Sequence, residues 1–272
     1  VVAVIPIVLN RDRNISVANY RELAGNGQLL VTSIFATIQG EGPLAGGGCV
    51  FLRLAGCNIG AKEDCPWCDT YFDFDGGRVM RVEVVLAEIR EKLNGSVLVV
   101  VTGGEPLLQW EVMSAMMADA TDLAWQFETN GLLLKDGVTR DILTHPNKAI
   151  RVVVSPKVPA TLGKYRAIPA HWHELAEVLC LKYVVEDNPH SNYHQPGPVR
   201  AHEHLPALDT YVSGMAVYRR QLRPGEVANI WDDTLIDPVR TRSNYNHAAR
   251  IVMDHPGLYW LSLQTHLFAG VE

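Results

Sequence analysis

Val97-Leu98-Val99-Val100-Val101-Thr102-Gly103-Gly104-Glu105-Pro106 reads as an apolar strand running straight into a glycine turn. The run is apolar at successive positions rather than alternate ones, which suits a strand covered on both faces, as in a parallel sheet. Working outward, the same order recurs. Cys49–Ala55 precedes Gly56-Cys57, Trp125–Glu128 precedes Thr129-Asn130-Gly131, and Ile150–Ser155 precedes Pro156-Lys157. Leu29–Phe35, Leu179–Val185, Thr210–Ser213 and Leu258–Leu263 read as further strands. Helical patterns lie between them. From Arg81, the residues Val82, Val85, Leu86, Ile89 and Leu93 share one face, and Asn94-Gly95 can end that helix. Leu108, Val112, Ala115 and Met116 mark a second, and Trp172, Leu175, Ala176 and Leu179 a third. Ser243 is placed to cap a fourth that carries Tyr245, Ala248, Ala249 and Val252. Strands alternating with helices define an α/β fold, and a partial or complete parallel (β/α) barrel fits best. Ligands in such folds sit at the C-terminal ends of the strands, where the polar, glycine-rich motifs of this chain fall.

The composition sets outer bounds. Of 272 residues, 47% are hydrophobic and 20% charged, enough apolar material for a sizeable core. The net charge of −6 argues against a nucleic-acid surface, which needs a basic stripe. No apolar run is long enough to span a membrane. Val1–Leu9 reads as a first strand rather than a secretory leader, since it lacks basic residues and a small-residue cleavage site.

The cysteines carry the chemistry. Of Cys49, Cys57, Cys65, Cys68 and Cys180, three fall within twelve residues, which favours metal or redox chemistry over a disulfide framework. Cys57, Cys65 and Cys68 read C-x7-C-x2-C. The two-residue gap lets Cys65 and Cys68 bind one centre from a tight turn, and Cys57 can close over it. A structural zinc site would need a fourth ligand, drawn from His171, His173, His202 or His204. A cubane cluster on three thiolates would instead leave one iron open to a substrate, and a loop without metal is the third reading. Cys49 and Cys180, in apolar strands, read as buried structural thiols. The two His-x-His pairs read as surface or loop residues.

With the Gly-Gly-Glu-Pro segment beside it, the cysteine cluster resembles that of the radical S-adenosylmethionine (SAM) superfamily. Four further stretches narrow the likeness: Phe35-Ala36-Thr37-Ile38-Gln39-Gly40-Glu41-Gly42-Pro43, Phe51-Leu52-Arg53-Leu54-Ala55-Gly56-Cys57, Cys65-Pro66-Trp67-Cys68-Asp69-Thr70 and Gln264-Thr265-His266. Together they resemble the 7-carboxy-7-deazaguanine synthase family. The likeness runs from about Ser33 onward. It implies an N-terminal extension of unknown role over residues 1–31 and a radical SAM catalytic domain over 32–272. The superfamily spacing is C-x3-C-x2-C; here Asn58 to Asp64 lengthen the first gap to seven residues without removing a ligand.

What the resemblance implies is specific. Cys57, Cys65 and Cys68 hold a [4Fe–4S] cluster, and S-adenosyl-L-methionine chelates the open iron. One electron then cleaves a carbon–sulfur bond to give a 5′-deoxyadenosyl radical. The family converts 6-carboxy-5,6,7,8-tetrahydropterin to 7-carboxy-7-deazaguanine with release of ammonia, on the route to queuosine-type deazapurines, with Mg2+ in support. Arg53, in an apolar strand, needs an anionic partner. That is either an internal salt bridge or, by family likeness, the substrate carboxylate. Ile38, Gln39 and Gly40 match the pterin edge, as Thr102 matches another substrate contact; a plain surface turn is the alternative for Gly40. Thr70 matches a magnesium ligand, where a capping hydroxyl is the alternative. Gly103 and Gly104 match backbone contacts to the methionine part of the cofactor, and Glu105 an orienting group for its amine. Trp67 and Asp69 belong to the same cofactor set. Glu128 matches a ribose contact or else caps its turn. Ser155, Pro156 and Lys157 match a cofactor turn, Lys157 being otherwise a solvated charge, and Ser213, Gly214, Met215 and Ala216 match another. His266 and the carboxylate of Glu272 match substrate contacts; Leu267 stands where the family has a lysine. The likeness further implies a flavodoxin- or ferredoxin-like electron donor, a homodimer, a cytoplasmic setting, and neither nucleic-acid nor membrane partners.

Overall fold

The computed structural model describes residues 22–59, 77–159, 161–205, 207–220 and 227–271. Two compact units divide them. The first takes residues 22–36, 48–59 and 77–151, and the second takes 37–47 and the described residues from 152 onward.

The first unit holds most of β1 (Gln28–Ile38), then β2 (Gly48–Leu54), β3 (Arg78–Arg81), helix α1 (Val82–Lys92), β4 (Leu98–Gly103), α2 (Trp110–Asp119), β5 (Ala124–Thr129) and α3 (Asp136–Thr144). Its strands run in the order β3-β1-β2-β4-β5. Strands β2, β4 and β5 are parallel, with Arg53 opposite Thr102. Strand β1 runs against its neighbours: it pairs antiparallel with β3, Gln28 opposite Arg81, and its Leu30 carbonyl accepts the Ala55 amide just past β2. The decisive valine run behaves as read: Val99, Val100 and Val101 are all fully buried, so both faces of β4 are covered. Helix α1 buries Val85 and Ile89 and carries Glu83 in its first turn and Arg90 and Lys92 in its last, in keeping with the helix dipole. Left-handed backbone at Asn94 (φ 43°) and Gly95 (φ 92°) follows, as the Asn-Gly pair implies.

Strand β6 (Ile150–Val154) leads into the second unit, which adds β7 (Leu179–Val185), β8 (Thr210–Gly214), helix α4 (Pro238–Asp254), β9 (Trp260–Ser262) and α5 (Thr265–Ala269). The order β6-β7-β8-β9 is parallel throughout. Helix α4 packs Ala248 and Ile251 against Val185 of β7 and Val212 of β8. Each unit is thus a mainly parallel α/β layer, the arrangement expected of a partial (β/α) barrel.

Some expectations need correction. Helix α4 starts at Pro238, not at Ser243: Asp237 Oδ1 accepts from the amides of Val239 and Arg240 at 3.2 and 3.1 Å, and Pro238 fills the first turn. The helical pattern at Trp172–Leu179 is a 3-10 turn, Ala170–Leu175, and Leu179 opens β7. His173 is buried rather than at the surface, and its Nε2 accepts the amide of Ala201 at 3.1 Å. Strand β3 and helices α3 and α5 were not expected. Cys49 and Cys180 are buried as read, and burial pushes the Cys49 thiol up to about 12. The Val1–Leu9 strand lies outside the described residues. Among the described residues no helix is long and apolar enough to cross a membrane.

Candidate active site

In the first unit the turns that follow β2, β4 and β5 are stitched to one another. The backbone of the turn after β4 lies so close to the turn after β2 that no side chain fits. A Cβ on Gly103 (φ 111°) would stand 2.1 Å from the Leu54 carbonyl oxygen, and one on Gly104 1.8 Å from that of Gly56. The approach is fixed by two hydrogen bonds, Gly104 N–H to Leu54 O (3.1 Å) and Glu105 N–H to Gly56 O (2.7 Å). Glu105 is fully buried. Its carboxylate accepts from Leu107 N–H (3.0 Å), from the Thr129 hydroxyl (2.7 Å) and from Asn130 N–H (2.8 Å), tying the end of β4 to the end of β5. Asn130 Nδ2 then donates to Asn58 Oδ1 at 2.7 Å, beside Cys57, and closes the ring.

Cys57 stands in this ring, buried, and its sulfur accepts the amide of Ile59 at 3.5 Å. An amide aimed at sulfur suits a cluster thiolate. Four residues earlier on β2, the Arg53 guanidinium lies 4.8 Å above the Phe35 ring, which also packs on Phe51. Glu128 is held on β5 by Gln126 Nε2, which donates to it at 2.7 Å. The sequence reading placed Asn130 in a polar turn without giving it a role, and did not mark Gln109. Gln109 Oε1 accepts from Leu30 N–H at 2.8 Å, and Nε2 donates to Leu30 O and Ala55 O at 3.1 and 3.3 Å, so one side-chain amide bridges β1 to the end of β2. Neither has a distinctive sequence signal.

The second unit gathers another set. Gln39 is only 2% exposed, and its N–H and C=O are both bonded across the turn, to Gly47 O and from Gly46 N–H at 2.7 Å each. Gly40 has no room for a side chain because His266 Nδ1 would meet its Cβ at 1.8 Å, and Thr265 N–H donates to Gly40 O at 2.9 Å. Gln39, Gly40 and His266 are therefore neighbours, although 225 residues separate Gly40 from Thr265. Glu41 forms an ion pair with Lys182, at side-chain exposures of 16% and 9%. Burial pushes the Glu41 carboxyl up, but Lys182 foremost, then His266 and Lys157, bring it below its ordinary value. Lys157 folds back, donating to Ser155 O and Oγ at 3.0 and 2.8 Å. Ser213, Gly214, Met215 and Ala216 are buried at the end of β8. Asn244 of α4 donates to Met215 O at 2.8 Å, and a Cβ on Gly214 would meet Tyr245 N at 2.5 Å. Lys182 was missed, yet it had a signal: a charge inside the apolar run Leu179–Val185, as Arg53 is in its own run. Cys65, Trp67, Cys68, Asp69, Thr70 and Glu272 lie outside the described residues.

The comparisons point to the class that the cysteines suggest. Residues 53–164 match the family model of the Radical SAM superfamily. A radical SAM enzyme carries a [4Fe–4S] cluster and S-adenosyl-L-methionine, and the sulfur, amide and close-packed glycine turns around Cys57 fit that pair. The particular likeness is to 7-carboxy-7-deazaguanine synthases, as read from the sequence. The chain is 42% identical over 120 residues to the one from Hyperthermus butylicus, covering 43% of this chain and 48% of that one. It is 39% identical over 113 residues to the Rhodospirillum rubrum one, covering 41% and 46%. With the Rickettsia prowazekii one it shares 27% identity over 257 residues, 92% of each chain. The chain thus spans about half the length of the first two and nearly all of the third. The crystal structure of QueE from Escherichia coli matches with a TM-score of 0.50 and 19% identity, covering 90% of this chain and 98% of that chain, which places both in one fold.

Proposed function

We propose that the chain catalyses the radical contraction of 6-carboxy-5,6,7,8-tetrahydropterin to 7-carboxy-7-deazaguanine with release of ammonia. The observation that carries this reading is Arg53. It stands on the strand that delivers Cys57, four residues away, with its guanidinium over Phe35. A carboxylated substrate would pair with such a cation there.

When bound, the cluster supplies the electron that cleaves the cofactor. The chain's own residues bind and orient. Cys57, Cys65 and Cys68 hold the cluster. Gly103 and Gly104 offer backbone to the methionine part of the cofactor, and Glu105 acts as a positioning residue that locks their turn to β5. Trp67, Asp69, Glu128, Ser155, Pro156, Lys157 and the Ser213–Ala216 turn complete the cofactor set. Ile38, Gln39, Gly40, Thr102 and His266 take the pterin, and Thr70 takes a magnesium ion. The reading extends to a cytoplasmic homodimer fed by a flavodoxin- or ferredoxin-like donor.

The test is an oxygen-free assay with the carboxylated pterin, dithionite, SAM and Mg2+. A deazaguanine chromophore is expected. Arg53→Ala should lower kcat/KM for the pterin by about 30-fold or more, the loss of roughly 2 kcal/mol from an unpaired carboxylate. Cofactor cleavage with no such chromophore would reject the substrate while leaving the radical SAM class standing.

A further inference from the structure

A second constellation shares no residue with this set. Asp187 and His194 come from the segment after β7, and His247 comes from α4. One ligand atom of each lies within 4.8 Å of the others. Hydrogen bonds fix the imidazole tautomers. His247 Nε2 faces the His194 carbonyl at 2.7 Å, and His194 Nδ1 faces the Glu186 carbonyl at 3.2 Å. A carbonyl only accepts, so each of these nitrogens carries the proton. The lone pairs are left on His247 Nδ1 and His194 Nε2. Metal-binding histidines have this arrangement, with the far ring N–H given to a backbone carbonyl.

The carboxylate is divided in the same way. Asp187 Oδ2 accepts from the Ser243 hydroxyl (2.7 Å) and from Arg250 Nη2 (3.3 Å). Oδ1 faces His247 Nδ1 at 3.8 Å, too long for a hydrogen bond but suited to two atoms sharing one ion. Asn244 Oδ1 accepts the Asp187 amide at 2.8 Å and sets the backbone. The two rings stack at 4.3 Å and 18°, so one of them tilts for both in-plane lone pairs to meet a single ion.

We infer that Asp187 Oδ1, His194 and His247 form a binding site for a divalent first-row metal, Zn2+ by its two nitrogens and one oxygen, with water completing the shell. Two imidazoles and a carboxylate suit zinc and are a poor set for magnesium, which takes oxygens. The ion clasps the segment after β7 to α4. That helix also holds the Met215 carbonyl through Asn244, so the ion steadies the turn at the end of β8.

The test is equilibrium dialysis of the cluster-loaded protein against buffered Zn2+, with metals counted by mass spectrometry. About one zinc per chain beyond the cluster iron is expected, with a higher Tm in its presence. Asp187→Asn and His194→Ala should each lose the zinc and the Tm rise. Ser243→Ala, which removes only a partner of Oδ2, should weaken zinc about 10- to 100-fold. Asp187→Asn keeps size and an oxygen for Ser243, so it decides the matter if a histidine variant fails to fold. No zinc uptake, or uptake unchanged in Asp187→Asn and His194→Ala, would overturn the site. Unchanged uptake would also assign the zinc to other ligands, such as cluster cysteines.

Discussion

Glu105 concentrates the difference between what a residue pattern suggests and what a side chain does. In the sequence it is an acid after two glycines, and the family likeness turns it toward the cofactor. In the fold its buried carboxylate accepts from Leu107 N–H, the Thr129 hydroxyl and Asn130 N–H. A carboxylate is suited to this because it only accepts, and three donors converge on it. Glu105→Gln keeps the shape but turns an NH2 toward one of those donors. The change should cost about 1–3 kcal/mol of stability, read as a lower urea midpoint, with iron content kept at the refolded optimum. A midpoint equal to that of the parent chain would show that the three bonds add nothing. The glycines were legible as a turn that needs close backbone approach. What they approach, Leu54 O and Gly56 O, was not, because the partner lies about 50 residues earlier.

At the scale of elements, the legible strands were those with unbroken apolar runs. Leu179–Val185 was read to its exact ends, and its one charge, Lys182, marks a buried ion pair whose partner no local pattern identifies. The misread elements have weak or misleading patterns. The first turn of α4 leaves Val239 exposed at 77%, so its apolar periodicity begins late, and only the Asp237-Pro238 start marks the true end. Helix α3 buries only Thr139 and Ile142, and β3 is the four-residue edge Arg78–Arg81. The Lys182–Glu41 pair joins β7 to the turn that follows β1, and its removal can be predicted. Lys182→Met strands a buried carboxylate and should cost about 3–5 kcal/mol, most of it recovered when Glu41→Gln is added. The pH dependence has a definite sign. Lys182, His266 and Lys157 outweigh burial and depress the folded pKa of Glu41 below the ordinary 4.5. Its contribution is therefore full above the unfolded value and is lost as pH falls through the depressed one. Urea midpoints from about pH 6 to pH 3 should drop less steeply in the double variant than in the parent chain. Equal slopes would remove Glu41 from the acid response.

For the molecule as a whole, the order of strand and then glycine turn foretold where the stitched turns of the first unit lie, because a parallel strand ends where its connecting turn begins. The seven-residue cysteine gap did not disturb that logic, since Cys57 is placed by β2 alone. Strand β2 is held without its sulfur: Leu54 O and Gly56 O take amides from the turn after β4, Ala55 O takes Gln109, and Ala55 N–H donates to Leu30 O at 3.0 Å. Fold and cofactor should therefore separate cleanly. Cys57→Ala removes one buried thiol but none of these bonds, so the far-UV circular dichroism should match the parent chain and Tm should fall only slightly. Iron should drop from about four per chain to a small remainder, because a cluster on two thiolates is not retained. Cofactor cleavage should disappear with it. A Cys57→Ala protein that stays brown and still yields 5′-deoxyadenosine would remove Cys57 from the ligand set. One that unfolds would show that the cluster, rather than the stitched turns, holds the end of β2 in place.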